Sequence, residues 1–324
     1  MSKTTLRPLQ LTATLIVLGL YAAPAQAVNV RSFVSSNGND GTPNACTRAQ
    51  PCRTFAYALS QTITGGEINV LDPGGYGAVT INKSISIVND GVGSAGVLVG
   101  GGATGITISA PATDVVNLRG LIIEGTNLGS VGIQFNTGKS LVIENCVIRG
   151  LQSNGISFQP NASSNLAISN TLIADNGANG VVIAPSGTGV VNAAISRVGV
   201  YNNGGHGITV NGTGQASGQL NAVVAESVSA GNTSAGLAVF SQGGSVAAKL
   251  MVARSESAQN GPLSAGSGLL ANGAGAALRV GQSAVTGNGN GWQALNTGTV
   301  SSYADNYIDG NLANELAPPA VSKK

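Results

Sequence analysis

Charge is scarce in this chain. Only 9 % of its 324 residues are charged and 4 % aromatic, and it holds three cysteines, one histidine and one tryptophan. So little basic charge gives nothing to attract nucleic acid or an anionic membrane. Few aromatics leave few platforms for stacking sugar rings. No stretch beyond the N-terminal region is long and apolar enough to span a bilayer. There is no phosphate loop, zinc-ligand spacing or calcium-binding glycine-rich nonapeptide. What the chain has instead is 48 glycines and 42 % hydrophobic residues, which points to many turns and a large core.

Lys3 and Arg7 precede an apolar run from Leu11 to Ala23, and Ala25-Gln26-Ala27 offers a small-residue cleavage site. Residues 1–27 are therefore expected to be a secretory signal peptide, leaving thirteen basic and thirteen acidic residues in a secreted or periplasmic mature chain. Cys46 and Cys52 flank a short proline-containing loop and form the natural disulfide pair there. Cys146 falls in a repeated column with Leu121, Thr171 and Val198, and reads as a packed thiol.

The repeat is plainest from Leu166 to Val210. LAISNTLIADNGANGVVIAP is followed by AISRVGVYNNGGHGITV, the same unit offset by 27 residues. Taking Leu118, Ile143, Ile168, Ile195, Val224, Val252, Val280 and Tyr303 as equivalent anchors gives spacings of 25, 25, 27, 29, 28, 28 and 23 residues. Two residues earlier stand Val116, Leu141, Leu166, Ala193, Ala222, Leu250, Leu278 and Ser301, so period-two alternation points both columns inward. Eight residues after the anchor come Asn176, Asn203, Asn232, Asn260, Asn288 and Asn311. Stacked at a strand spacing of ~4.8 Å, such amides can bond to the rungs on either side. Glycines then open a third alternation at Gly132, Gly155, Gly180, Gly207 and Gly236, at a corner needing positive φ or close backbone approach.

Three short strands per turn of about 25 residues describe an all-β parallel β-helix of about ten coils. Residues 28–66 are expected to form an N-terminal cap. In it Arg53–Thr62 makes a capping α-helix with Phe55, Ala58 and Leu59 on one face and Thr54 as N-cap. The solenoid is expected over residues 67–316, with 317–324 as a loose tail.

The repeats resemble the right-handed parallel β-helix repeats of the pectin-lyase-like superfamily, asparagine ladder included. Residues 35–87 resemble the cap and first coils of exported bacterial β-helix repeat proteins. The resemblance implies the right-handed sense and links the fold to lyases, hydrolases and esterases of acidic polysaccharides. That chemistry needs a carboxylate pair, or carboxylate-bound Ca²⁺ with a nearby Arg or Lys base. Here seven Asp and six Glu are scattered, with no Asp-Asp pair and no Asn-Thr-Asp triplet.

Three catalytic candidates stand out, each with a plain structural reading. Gly205-His206-Gly207 matches a short motif of polygalacturonase-like hydrolases, yet His206 shares its slot with Val131, Asn154, Asn179, Ala235, Ser267 and Asn290. Glu144 and Arg149 belong to a possible ligand-binding set, Arg119, Glu124, Glu144 and Arg149, which pairs opposite charges on neighbouring rungs. Arg197, Glu226 and Arg254 repeat that alternation, which favours salt bridges on a solvated face. Trp292 falls in an inward slot, while Tyr76, Tyr201 and Tyr307 are candidates for exposure.

The expectation is an exported non-catalytic solenoid that binds or presents a surface to carbohydrate or cell-envelope glycan. It needs no cofactor, metal or nucleic acid and has no membrane span in the mature chain. The alternative is a lyase or hydrolase of an acidic polysaccharide, the one case in which Ca²⁺ would enter.

Overall fold

The computed structural model describes residues 29–243, 245–261 and 266–323; the expected signal peptide lies outside the described residues. The backbone coils into three parallel sheets. Sheet A has eleven strands, sheet B ten and sheet C nine, so nine coils are complete, with further strands of A and B beyond them. One coil runs Ser140–Glu144 in A, Val147–Arg149 in B and Ile156–Phe158 in C. Inward aliphatics stack rung on rung: Ile143 lies between Leu118 and Ile168, and the column continues through Ile195, Val224, Val252 and Val280.

The last rung departs from the expected register. Val280 pairs with Ser302 rather than Tyr303, and Leu278 with Val300 rather than Ser301. Small or aliphatic residues fit the inward slot, and Val300 and Ser302 are both buried. One extra residue then enters the next bend, where Ala304 is left-handed (φ 61°), and Asn311 returns to its column.

Two bends in each coil are sharp. The residue two past the anchor is left-handed in Gly120, Asn145, Asn170, Arg197, Glu226, Arg254 and Gln282. Such a conformation costs a non-glycine residue roughly 1–2 kcal/mol, and hydrogen bonds between rungs offset it. Immediately after this bend runs a hydroxyl ladder. The amides of Val198, Ser227 and Ser255 donate to Oγ of Ser227, Ser255 and Ser283 at 3.1–3.2 Å. Each of those hydroxyls donates to the carbonyl two residues back, at 2.8–2.9 Å. Cys146 occupies the same column. Its amide donates to Thr171 Oγ1 (3.3 Å) and its thiol to the Glu144 carbonyl (3.3 Å).

The asparagine ladder closes the second bend. In every step the carboxamide oxygen of one Asn accepts two bonds, from the Nδ2 and the backbone amide of the Asn behind it. The Nδ2 bonds run 2.9, 2.8, 2.9, 3.0 and 2.9 Å from Asn176 to Asn311; the backbone bonds run 2.9–3.2 Å. The last donor, Asn311 N, finds the Glu315 carboxylate at 2.7 Å. At the corner glycines close approach is the reason for the residue, not positive φ. A Cβ on Gly180 would lie 2.7 Å from the Gly207 carbonyl oxygen and 2.4 Å from Val200 Cγ1.

Both ends are covered. The strand Asn29–Val34 pairs with Thr62–Val70 and so belongs to sheet A rather than to a separate cap. The Cys46–Cys52 loop, closed by its disulfide, meets the open edge through Phe33 N to Cys46 O (2.8 Å) and Cys52 N to Phe33 O (2.9 Å). The helix Phe55–Gln61, the only one among the described residues, is shorter than expected. Thr54 caps it by accepting from Tyr57 N at 3.2 Å, and Phe55, Ala58 and Leu59 are buried. At the other end residues 319–321 lie against the last rung instead of hanging loose. Ser302 N donates to Pro319 O (2.9 Å) and Val321 N to Ser302 O (2.8 Å), which shields an otherwise bare strand edge.

The ladder sets a stability contrast. Asn232→Ala leaves two donors of Asn203 without their acceptor in a buried column, at about 1–3 kcal/mol for each unmet group. Urea unfolding is expected to show a loss of several kcal/mol, against about 0.5 kcal/mol or less for Asn192→Ala on the outer face. Equal losses would contradict the ladder's role.

Candidate functional site

The four charged candidates form two separate pairs. Arg119 and Glu144 are register partners at the end of sheet A, with Arg119 Nε 4.0 Å from Glu144 and 3.5 Å from Asp90. Glu124 and Arg149 are partners in sheet B, 3.3 Å apart. The bend at Gly120 and the strand Leu121–Glu124 separate them. Every one of these side chains is well exposed, so each pair contributes ~0–1 kcal/mol. Further along, Glu226 takes Arg254 at 3.0 Å and Arg197 at 3.7 Å. Alternating charge makes the left-handed bend residues compatible as they stack. Among the described residues, no three of His, Cys, Asp and Glu stand close enough to share a metal ion.

His206 is a rung of a second ladder, on the outer side of the corner. Asn179 gives both its backbone amide and its Nδ2 to Asn154 Oδ1 at 3.0 Å. His206 N then donates to Asn179 Oδ1 (2.8 Å), and Ala235 N donates to His206 Nδ1 (3.0 Å). The imidazole thus takes over the acceptor role of a carboxamide oxygen. This ladder runs opposite to the inner one: here the later rung donates. With Nδ1 accepting, the proton of the neutral ring sits on Nε2. The ring tilts against Phe240 at 5.4 Å, and burial holds its pKa below the usual histidine value.

Other candidates fall inside. Cys146 is buried, and burial pushes its thiol up to about 11, so no thiolate forms near neutrality. Tyr76, expected to be exposed, is fully buried beside Phe55. Its hydroxyl donates to Asp72 (2.8 Å), which also accepts from Ser35 Oγ (2.5 Å) and Ser36 N (2.7 Å). Burial works to raise the Asp72 carboxyl, but these bonds outweigh it and hold it low. Trp292 is partly buried against the core and donates to Leu316 O at 2.7 Å. Tyr307 is exposed.

A further concave surface lies on sheet A, away from the charged pairs and His206. On the outer face of sheet A, Asn165, Asn192 and Asn221 stack beside Ala167, Ala194 and Val223 along a depression of about 490 Å³ that reaches Met251. The amides touch weakly, at 3.4 Å, which leaves donors and acceptors open to a ligand. Lys249 continues the column after Asn221. Lys139 lines an adjoining hollow that shares Asn165 and Asn192. Beyond Met251 a third hollow, of about 410 Å³, is lined by Tyr303, Asp305 and Lys323. There Lys323 lies 2.7 Å from Asp305 and, with the Gln282 amide, holds that carboxyl low. The sequence signal for the face was present: three asparagines, each directly before the inward residue two places ahead of its anchor.

The family model for right handed beta helix regions matches residues 60–223. Among solved structures, a pectate lyase, Pel9A, superposes with a TM-score of 0.54 at 18 % identity, covering 84 % of this chain and 67 % of that one. The A-module of the Azotobacter vinelandii mannuronan C-5 epimerase AlgE6 gives 0.43 at 15 % identity, with 80 % and 90 % covered. That of AlgE4, from the same organism, gives 0.42 at 15 %, with 83 % and 93 % covered. Identities this low show likeness of fold alone. No curated protein matches the sequence.

The His206 geometry fixes a pH response. Its folded pKa lies below the unfolded value of ~6.5, so the unfolded chain binds the proton first. Stability from the neutral ring is full above that value and is lost as pH falls from there through the lowered folded pKa. His206→Asn keeps an acceptor for Ala235 N and removes the titration. The expected outcome is a smaller fall in urea midpoint between pH 7 and pH 5 for His206→Asn than for the unmutated protein. Equal falls would contradict it.

Proposed function

We propose, for a chain that belongs to the right-handed β-helix family of the pectin-lyase-like superfamily, that it is an exported, non-catalytic protein which binds a linear carbohydrate along the outer face of sheet A. The observation that carries this reading is the open asparagine column, Asn165, Asn192 and Asn221, beside a flat aliphatic column. Carboxamides offer a donor and an acceptor together, which suits sugar hydroxyls, and the aliphatic strip suits the C–H faces of the rings. A chain laid along the solenoid axis meets the same pair of columns at every rung. The charged candidates Arg119, Glu124, Glu144 and Arg149 are engaged with one another or with Asp90, in keeping with a structural role. Export draws support from residues 1–27 and from the Cys46–Cys52 disulfide. Among the described residues no helix is long and apolar enough to cross a membrane.

A second reading, a lyase or hydrolase of an acidic polysaccharide, has one observation in its favour. Asp305, Lys323 and Tyr303 share a hollow that continues the face at Met251. Ca²⁺ belongs to that reading alone, and the described carboxylates are not grouped to hold it.

Purified mature protein, tested against neutral and acidic polysaccharides with and without Ca²⁺, decides between the two. Binding without unsaturated or shortened products is expected. Asn192→Ala should weaken binding about fivefold, the equivalent of one hydrogen bond at ~1 kcal/mol. Turnover abolished by Asp305→Asn or Glu144→Gln would overturn the non-catalytic reading.

A further inference from the structure

A different hollow sits at the corner where sheet C leads back into sheet A. Two depressions, each of about 390 Å³, meet there and share Thr213, Gln242 and Gly243. One is lined by Phe240, Asn272 and Asn296, the other by Gln215, and none of the described residues lining either is charged. Each volume is of the order found for small-molecule pockets, ~300–1,000 Å³.

Gln215 is the decisive residue. It is 1 % exposed. Its Nε2 donates to the Gly189 carbonyl at 2.8 Å, which fixes the orientation of the amide, because an oxygen turned to that carbonyl could not donate. Its Oε1 is left buried with no hydrogen-bond partner. A buried acceptor without a donor is costly, and this one belongs to a side chain that lines the hollow. The surroundings offer matching chemistry. Thr213 spends its hydroxyl proton on Asn211 (2.7 Å) and so keeps oxygen lone pairs to accept with. Asn296 Nδ2 donates to Asn272 Oδ1 (2.9 Å), which orients both amides. Phe240 supplies an aromatic ring, whose centroid lies 5.4 Å from that of His206.

We propose that this corner is a binding site for a neutral saccharide unit, separate from the sheet A face and independent of what binds there. A sugar hydroxyl donates to Gln215 Oε1, other hydroxyls bond to Thr213, Gln242 and Asn272, and the C–H face of the ring packs on Phe240. The absence of lining charge selects against an anionic sugar, whose carboxylate would lose its water and gain no cation in return.

Amide and side-chain amide NMR spectra of the full-length mature protein, titrated with maltose, cellobiose and lactose through the millimolar range, test the site. Galacturonic acid serves as the anionic control. The expected result is a saturable shift at Thr213, the Gln215 side chain and Asn272 with at least one neutral sugar, and none with the acid. Phe240→Ala should weaken that binding at least tenfold. Asn296→Ala, at an exposed position, should weaken it several-fold with the remaining spectrum unchanged. Asn192→Ala, on the sheet A face, should leave it as it was. No saturable shift with any sugar would overturn the proposal. So would shifts confined to the sheet A face, or affinity unaltered by both Phe240→Ala and Asn296→Ala.

Discussion

The buried carboxamide is the group on which this molecule depends. A tight bend in a solenoid turns backbone amides toward the axis, where no strand of the same coil can receive them. Each ladder asparagine solves that for its neighbour by accepting a backbone and a side-chain proton on one oxygen. The arrangement is directional, so it must end on a group that only accepts. Glu315 is that group. On the outer side of the same corner the second ladder runs the other way, through Asn154, Asn179 and His206. The corner is therefore held from both sides, with its amide dipoles opposed.

Low charge is a consequence of this architecture. Most side chains either enter the stacked core or meet a copy of their own column ~4.8 Å away. Like charges at that spacing would repel, so a column tolerates charge only in alternation, as in Arg197, Glu226 and Arg254. Uncharged amides and hydroxyls stack without such a restriction. The same logic turns eye-catching residues into structural ones: the single histidine is an acceptor in a ladder and the single free thiol a packed member of a hydroxyl column.

Much of the fold was legible because a solenoid repeats its physics. The column from Leu118 to Val280, the asparagines from Asn176 to Asn311 and the cap at Thr54 could all be read directly. The reading failed where repetition failed. The last coil holds one extra residue between Ala304 and Tyr307, so the anchor set eight residues before Asn311 fell on Tyr303 and misplaced Val300 and Ser302. Tyr76 occurs once, with no column to reveal that Asp72 and Phe55 enclose it. The hydroxyl ladder of Ser227, Ser255 and Ser283 stayed hidden because serine is common throughout the chain. The charged set was legible as pairs, but not its division between two sheets, which depends on the angle at Gly120. Neither the sheet A face nor the Gln215 corner could be found by looking for reactive residues, since both are built from amides.

The interval from anchor to ladder is eight residues in five successive coils, from Ile168 to Asn176 through Val280 to Asn288. With that stretch locked by two ladders, growth of a coil is diverted elsewhere. It appears in the long approaches Gly187–Ser196 and Gln215–Ala225. A seam of this kind separates inheritance of shape from inheritance of specificity. Segments can be lengthened, exchanged or grafted along the side leading into sheet A while the axial stack keeps its phase, so new recognition can arise there without the scaffold being redesigned.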